Sequence, residues 1–332
     1  MSNHTQLTDR VMGCLLGGVI GDAMGAPTEG KTFAQIQEQF GWVDSFEGSG
    51  TDDSALRFIL CEAIFAGGGW ASVDNFAASF LKHKQRFYRL FYIPVRNMFH
   101  KIESELSLPV NAGIGNMHSS SSAMCISPMG IINAGDPRQA AREAFEVASL
   151  IHAGDSSFCR DGACAIAAAV AEAMNPASTV ASILDAATAY LPPKSGREML
   201  DCIQKVMDYL ETEPSYEDFR QWHYDNCLGD IISDSRETVP CTLGLFLLAQ
   251  GDPNVAIPMA ANLGRDADTI ATMLGGICGA FTGQSGINDA WVEKALEGEY
   301  SLVALGENLE SVIKTRLEDR QQRMATIQSM LA

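Results

Sequence analysis

Apolar residues along this chain recur mainly at the three- and four-residue spacing of amphipathic helices, and strand-like alternation of Val, Ile and Thr is scarce. In residues 54–66 the apolar positions form one helical stripe, made of Leu56, Ile59, Leu60, Ala63 and Ile64. Residues 302–331 repeat the pattern, with one apolar face made of Leu305, Leu309, Val312 and Ile313. The pattern predicts an all-α fold.

Three further segments complete the prediction of helices and loops. Residues 74–106 predict helices that Pro94 interrupts, because proline lacks the backbone N–H that a helix interior uses. Residues 196–222 predict another helix. Residues 107–127 are rich in Gly, Asn and Ser and predict a loop.

Small apolar residues dominate residues 8–24. The glycines in and just after this segment are Gly13, Gly17, Gly18, Gly21 and Gly25. Glycine weakens a helix interior, so we expect this many only where the chain turns or another segment approaches closely. We predict a tightly packed helix that runs into a loop.

One pattern occurs twice. Gly135-Asp136-Pro137 precedes a predicted helix that ends near His152, and Gly251-Asp252-Pro253 precedes one that ends near Gly264. In both, Gly is expected to end one helix, Asp to cap the next and Pro to occupy its first turn. An Ala/Gly-rich helix is predicted after each. With no linker visible, we predict one all-α domain spanning residues 1–332.

Composition indicates a globular protein, because 46% of the 332 residues are hydrophobic and 19% are charged. No uninterrupted apolar run has the length of a membrane helix, and residues 1–10 lack a signal-peptide pattern. The nine cysteines form no C-x-x-C motif, and we interpret them as core residues. These features predict a cytoplasmic protein with no membrane partner.

The formal net charge of −18 argues against nucleic acid as a partner, because such a surface repels phosphate backbones. An acidic protein can still bind an anionic ligand where metal ions or helix N-termini neutralise the charge locally.

Two acidic motifs in reversed order are the strongest chemical signal. They are Thr51-Asp52-Asp53-Ser54 and Asp266-Ala267-Asp268-Thr269, and each precedes an apolar helical run. Either motif alone is explained by helix capping. Together they supply four carboxylates and two Thr hydroxyls, the hard oxygen ligands that Mg²⁺ and Mn²⁺ prefer. We therefore predict a pair of divalent metal ions between the motifs.

These motifs resemble signature segments of the ADP-ribosylglycohydrolase family, of the dinitrogenase reductase-activating glycohydrolase type. The matching segments, in the order of the family, are Gly21-Asp22-Ala23-Met24-Gly25 with Glu29, Thr51 to Ser54, and Gly264 to Ile270. Between them, Ala123-Met124, Pro128-Met129-Gly130, Asp136-Pro137 and Ile151-His152 resemble the middle segments. The resemblance spans most of the chain and implies an all-helical fold.

The resemblance also implies a binuclear Mg²⁺ or Mn²⁺ centre and hydrolysis at C1 of the distal ribose of ADP-ribose. The implied metal ligands are Thr51, Asp52, Asp53, Asp266, Asp268 and Thr269. The substrate would be an ADP-ribosylated protein side chain or a small ADP-ribosyl compound. Asp53 and Asp268 would be catalytic with Glu29, which is the candidate for proton transfer. Alone, Glu29 is equally well interpreted as a solvated loop carboxylate.

The substrate-binding residues that we infer beside the metals are Asp22, Gly115, Asn116, Ser121, Ser122 and His152. Asp22 would orient Glu29 or a water molecule. From the sequence alone, His152 is better interpreted as a core or capping residue. Many family members have Gly-Asn-Gly before the middle Met and Arg after it, whereas this chain has Ser119 to Ser122 and then Cys125. A different ribosyl N-glycoside therefore remains an alternative substrate.

Two alternatives come from other functional classes. Residues 25–32 match the P-loop pattern G-x-x-x-x-G-K-T, which would indicate an NTPase. We interpret the match as chance, because Pro27 removes one N–H and Glu29 places a negative charge beside the supposed phosphates. A non-catalytic ligand-binding protein is the second alternative, and the presence of all four aspartates argues against it.

Overall fold

The computed structural model describes residues 5–331, and within that range the regular secondary structure is helical, with no β-strand. The first nine α-helices are α1 Gln6–Gly25, α2 Phe33–Phe40, α3 Asp52–Ala66, α4 Val73–Lys82, α5 Lys84–Phe87, α6 Ile93–Glu103, α7 Pro109–Ala112, α8 Ser127–Ile131 and α9 Pro137–Ala148. The others are α10 Phe158–Ala173, α11 Val180–Ala189, α12 Arg197–Leu210, α13 Tyr216–Asn226, α14 Ser235–Leu248, α15 Pro253–Ala261, α16 Ala267–Thr282, α17 Asp289–Leu296 and α18 Leu302–Leu331. The predicted all-α fold is confirmed.

Most predicted helices are present, and the single helix predicted over residues 196–222 is wrong. The chain forms α12 and α13 there, separated at Glu213-Pro214. Proline disfavours the α conformation of the preceding residue, and Glu213 adopts a φ of 52°. Pro94 lies in the first turn of α6, a position that accepts proline. The predicted 107–127 loop contains α7 and a single 3₁₀ turn, Ser120–Ser122.

The centre of the fold is an antiparallel pair, α1 against α16, which pack through glycines. A Cβ atom at Gly21 would lie 2.0 Å from the carbonyl oxygen of Ala271, and one at Gly279 would lie 1.9 Å from that of Gly13. These backbones therefore touch, as the glycine-rich pattern predicted. The pairing fixes the end of α1 that carries Asp22 against the start of α16.

The repeated Gly-Asp-Pro pattern begins α9 and α15 in the predicted way. Oδ1 of Asp136 accepts a hydrogen bond from the Gln139 N–H at 3.0 Å, and Oδ1 of Asp252 accepts one from the Asn254 N–H at 2.9 Å. The glycine before each aspartate has a φ above 70°. The Ala/Gly-rich helices that follow are α10 and α16, so the second unit leads directly to the Asp266 motif.

The core is one cluster of buried apolar side chains to which helices along most of the chain contribute. All nine cysteines are free and seven are buried, in agreement with the core interpretation. Within residues 5–331, one stretch, Gln6–Thr28, is long and apolar enough to cross a membrane, and 89% of its most apolar window is buried inside the protein. Burial to this extent is typical of a central core helix.

The segment that matches the P-loop pattern has a different architecture from a P-loop. Gly25 is the last residue of α1, residues 26–28 form a 3₁₀ turn, and Thr32 caps α2. A P-loop requires a strand before the glycine-rich turn. The NTPase interpretation therefore has no structural support.

Candidate metal centre

Carboxylates from four parts of the chain converge where α1, α3 and α16 meet. Asp22, Asp53 and Asp268 present oxygen atoms that all lie within 4.8 Å of one another. A second group, Glu29, Asp266 and Asp268, meets the same criterion. Because Asp268 belongs to both groups, the two potential cation sites are adjacent.

Helix capping does not account for this arrangement. Asp266 is the N-cap residue of α16, yet its side chain makes no capping hydrogen bond. At α3 the N-cap role belongs to Thr51, whose Oγ1 accepts a hydrogen bond from the Asp53 N–H at 3.5 Å. The carboxylates of Asp53 and Asp266 are therefore not used for helix capping.

The hydroxyl of Thr51 faces three carboxylates. Its Oγ1 lies 2.9 Å from Oδ1 of Asp22, 3.2 Å from Oδ2 of Asp53 and 3.3 Å from Oδ2 of Asp268. A hydroxyl has one proton and cannot donate to all three at full strength. Oδ1 of Asp53 is buried and has no hydrogen-bond partner among the described residues. The site thus contains more negative charge and acceptor capacity than its own donors satisfy.

Burial and mutual repulsion raise the pKa values of these aspartates. Burial, then the charge of Asp22, raises the pKa of Asp52 to about 7. Burial is also the main cause that raises the pKa of Asp266 to about 8. The pKa values of Asp53 and Asp268 lie well above their ordinary values, because both are buried and each has a neighbouring aspartate, Asp268 and Asp266 respectively. Divalent cations would remove this repulsion, so these residues fit a binuclear metal centre.

Asp22 supports the centre from below. Its Oδ1 accepts hydrogen bonds from the backbone N–H of Thr51 at 2.8 Å and from its hydroxyl, and its Oδ2 accepts them from the N–H and hydroxyl of Ser54 at 2.8 and 2.5 Å. Asp22 therefore holds the first turn of α3 against α1. Asp22 is fully buried and is not one of the residues that line the adjoining pocket, although it was predicted to bind substrate.

A buried guanidinium group, that of Arg57, lies close enough to Asp22 to affect its charge. Arg57 is 3% exposed, and its Nη2 donates to Oγ1 of Thr272. Its Nε and Nη1 have no hydrogen-bond partner within the described part of the chain. Burial raises the pKa of Asp22, while the Ser54 hydroxyl and the charge of Arg57 oppose that rise. Arg57 was not singled out from the sequence, because one arginine inside an apolar helix carries no motif.

Glu29 reaches the centre from a loop that is attached to the second acidic motif. The Gly30 N–H donates to the carbonyl of Arg265 at 2.8 Å, and the Arg265 N–H donates to the carbonyl of Lys31 at 2.9 Å. Glu29 as a whole is exposed, while its carboxyl group lies beside those of Asp266 and Asp268. Partial burial of the carboxyl, then the charge of Asp22, raises the pKa of Glu29.

A pocket of about 310 Å³ opens above the carboxylate cluster. Its acidic floor contains Glu29, Asp52, Asp53, Asp266 and Asp268, together with Thr269. Its walls are formed by Leu90, Phe91, Tyr92, Ile93, Arg96, Ser120, Ser121, Met124, Ile232 and Ser233. Arg96 is the only Lys or Arg among these lining residues. The pocket can therefore admit a polar ligand to the carboxylates and contact it with both apolar and polar groups.

The serine run contributes directly to the site. The Ser120 hydroxyl lies 2.9 Å from Oδ2 of Asp266 and 2.8 Å from the carbonyl oxygen of Ser233, and its proton is directed towards these two acceptors. Ser120 therefore holds Asp266 in place and joins it to the segment before α14. Ser120, Ser233 and Arg96 were all missed in the sequence. Ser120 could have been chosen from the serine run, but no local pattern marks Arg96 or Ser233.

The predicted substrate-binding residues occupy different places. Ser121 lines the pocket, whereas Gly115, Asn116, Ser122 and His152 do not. Gly115 is exposed, and Nδ2 of the buried Asn116 donates to the carbonyls of Pro94 and Ile151 at 3.1 and 2.7 Å. His152 is fully buried beside the serine run. A substrate role for these four residues stays a prediction.

Comparisons with known proteins point in the same direction as this geometry. A sequence profile described as ADP-ribosylglycohydrolase matches residues 3–325. YegU, an uncharacterized protein of Escherichia coli (strain K12), is 28% identical over 311 residues, which cover 85% of this chain and 90% of YegU. A Mus musculus protein named ADP-ribosylhydrolase ARH3 is 26% identical over 349 residues, which cover 92% of each chain.

A solved structure described as an ADP-ribosylglycohydrolase-related protein complex has the same fold. It superposes with a TM-score of 0.69 at 20% sequence identity, over 93% of this chain and 99% of that chain.

Proposed function

Because the chain belongs to the ADP-ribosylglycohydrolase family, we propose that it hydrolyses the glycosidic bond at C1 of a ribosyl group in a metal-dependent reaction. The substrate would be an ADP-ribosylated protein side chain or a small ADP-ribosyl compound. The observation that carries this proposal is the pair of adjacent carboxylate groups that share Asp268, all of whose members except Asp22 line an open pocket.

Two Mg²⁺ or Mn²⁺ ions would be held by Thr51, Asp52, Asp53, Asp266, Asp268 and Thr269. When bound, such ions supply Lewis-acid stabilisation of developing negative charge and orient hydroxyl-bearing ligands. The preference for these ions rests on the donors, which are carboxylate and hydroxyl oxygens without a thiolate or imidazole among them.

The protein's own groups would position the sugar and move a proton. Asp53 and Asp268 would fix the ribose end of the substrate at the floor through the ions. Glu29 would take a proton from the attacking water as the water oxygen forms its bond to C1 and the C1–N or C1–O bond breaks, and it would pass this proton on to the leaving nitrogen or oxygen. Its partly shielded carboxyl, attached through Gly30 and Arg265 to the second motif, suits this role.

A ribosyl N-glycoside without the ADP group is the second candidate substrate. Gly115 and Asn116, which were expected to shape an ADP-ribose cleft, lie outside the pocket wall. The pocket of about 310 Å³ would then accept a smaller molecule. We propose a cytoplasmic location. The net charge of −18 argues against nucleic acid as a partner, because such a surface repels phosphate backbones.

Calorimetry in Mg²⁺ would compare ADP-ribose, ADP, ribose 5-phosphate and simple nucleosides, and hydrolysis of each glycoside would be followed by chromatography. ADP-ribose binding far more tightly than its fragments supports the first substrate. If a nucleoside or ribose 5-phosphate binds and ADP-ribose does not, the second candidate substrate replaces the first. The absence of metal binding to the wild-type protein would contradict the proposal as a whole.

Lys31→Ala is a matched control for the NTPase alternative. Lys31 does not line the pocket, and its ammonium lies over the ring of Phe40, 5.8 Å from the centroid. We expect this variant to retain glycoside hydrolysis, whereas Asp268→Asn should abolish it. A metal-dependent ATPase activity that Lys31→Ala removes would reverse this conclusion.

A further inference from the structure

A buried chain of hydrogen bonds leads from His152 to the pocket. Nε2 of His152 lies 3.1 Å from Oγ of Ser119, and the Ser119 hydroxyl donates to Oγ of Ser121 at 2.9 Å. On the other side of the ring, Nδ1 is hydrogen-bonded to the hydroxyl of Ser122. All four side chains are at most 3% exposed.

Counting the protons in this series of hydrogen bonds shows which group donates in each. The Ser119 hydroxyl has one proton, and it is given to Ser121. Ser119 can then only accept from His152, so Nε2 must carry a hydrogen. In a neutral imidazole Nδ1 is then the acceptor, and it receives the proton of Ser122, whose other acceptor, the Ala148 carbonyl, lies further away at 3.5 Å.

The neutral form of His152 agrees with its surroundings. Burial, followed by the charges of His118 and Arg160, lowers the pKa of His152 to about 3. Within residues 5–331 no carboxylate is hydrogen-bonded to the ring, whose two nitrogens both contact serine hydroxyls.

Ser121 is the end of the chain of bonds. Its Oγ accepts the proton of Ser119, and no acceptor among the described residues receives its own proton. Ser121 also lines the pocket. Its hydroxyl is therefore available to donate to a ligand.

We infer that His152 is a positioning residue that acts through Ser119 and presents the hydroxyl of Ser121 as a hydrogen-bond donor to an oxygen acceptor of the substrate. The inference rests on the proposed function, because the ligand is taken to be an oxygen-rich ribosyl compound. Phosphoryl and ribose oxygens are the acceptors that such a compound offers. His152 itself does not touch the substrate.

The test uses two single variants and the corresponding double variant. Ser121→Ala removes the donor, and Ser119→Ala leaves that donor in place without its fixed orientation. We expect each to raise the KM and the Kd of the bound ribosyl compound about tenfold, the effect of one lost hydrogen bond, with kcat nearly unchanged. Ser119→Ala/Ser121→Ala should bind no more weakly than Ser121→Ala, because both changes act on one contact.

Ser156→Ala is the matched control. Ser156 is a 3%-exposed serine whose hydroxyl donates to the Ala153 carbonyl, outside this chain of bonds. Its substitution should leave KM and Kd unchanged. Additive losses in the double variant, or wild-type affinity in Ser119→Ala, would overturn the inference.

Nitrogen-15 NMR of labelled histidine gives a readout that does not require substrate. The wild-type protein at neutral pH should show His152, assigned by its loss in His152→Gln, as the neutral tautomer with hydrogen on Nε2. Hydrogen on Nδ1 would overturn the inference. If no ribosyl compound binds the wild-type protein, the proposed function fails and the substrate contact with it, while the tautomer still decides whether the chain of bonds is as described.

Discussion

Gly17 of α1 and Gly275 of α16 touch each other backbone to backbone. A Cβ atom on Gly17 would lie 2.1 Å from the carbonyl oxygen of Gly275, and one on Gly275 would lie 2.1 Å from that of Gly17. This contact fixes the separation of the two helices that carry Asp22 and Asp268. The geometry of the candidate metal centre therefore depends on glycines remote from it.

Gly17→Ala should destabilise the protein by about 3 kcal/mol, because the added methyl group overlaps backbone atoms that cannot move independently. Gly276→Ala, next to Gly275 on the same helix, is the control. A Cβ atom there would have no neighbour closer than 3.8 Å, so this variant should be neutral or gain up to about 1 kcal/mol from helix propensity. Denaturant unfolding would measure both. Equal stabilities of the two variants would contradict the close contact.

Asp268→Asn should have opposite effects on activity and on the stability of the metal-free protein. It removes the carboxylate shared by the two groups, so turnover should be abolished even at saturating Mg²⁺. In EDTA at pH 8 it should raise the melting temperature, because it relieves repulsion among buried carboxylates. Asp53→Asn should behave in the same way. Thermal melts with EDTA and with Mg²⁺ would check this, and a lower melting temperature in EDTA would count against it.

His223→Leu should stabilise the protein, and more so in acid. Both ring nitrogens of His223 are buried without a hydrogen-bond partner in the described residues. Burial, then the charges of Arg265 and Lys205, lowers the pKa of His223 to about 4. In the unfolded chain the pKa of His223 is about 6.5. Between about pH 6.5 and 4 the unfolded state therefore binds a proton at His223 that the folded state does not. The folded wild-type protein therefore loses stability as the pH falls through that window.

For His223→Leu we expect a gain of about 1 kcal/mol at pH 7 from the removal of unsatisfied nitrogens. At pH 5 the protonation of His223 in the unfolded wild-type chain should increase this stability difference by about 2 kcal/mol. Urea unfolding of both proteins across this range, with Mg²⁺ present, gives the difference. A difference that does not grow towards pH 5 would show that His223 is protonated in the folded state.

Arg265→Ala should destabilise the protein by about 2 kcal/mol, because it leaves the buried carboxylate of Glu237 without its cation. Nε and Nη2 of Arg265 donate to the two carboxylate oxygens at 2.8 Å, and the Glu237 side chain is 1% exposed. Arg265 has a φ of 60°, so Arg265→Gly should be about 1 kcal/mol more stable than Arg265→Ala. In a Glu237→Gln background the loss should shrink, and an unchanged loss would exclude the ion pair as its cause.

Local sequence rules determined much of this protein. The spacing of apolar residues predicted the helical class and both ends of α18. The Gly-Asp-Pro pattern predicted how α9 and α15 begin, because capping depends only on neighbouring backbone groups. The two acidic motifs identified the metal-binding aspartates that we propose, since two pairs of carboxylates exceed what capping two helices requires. Where a local rule was overlooked, at Pro214, the predicted helix was wrong.

Tertiary structure alone decided which of these residues meet. Ser120 contacts Asp266, which is 146 positions further along the chain. His152 aligns Ser121 through Ser119. Arg96 from α6 and Ser233 from the segment before α14 reach the same pocket. Periodicity fixes the direction of a side chain relative to its own helix, but the partner that it meets depends on how the helices pack, and here that packing is set by backbone contacts between glycines.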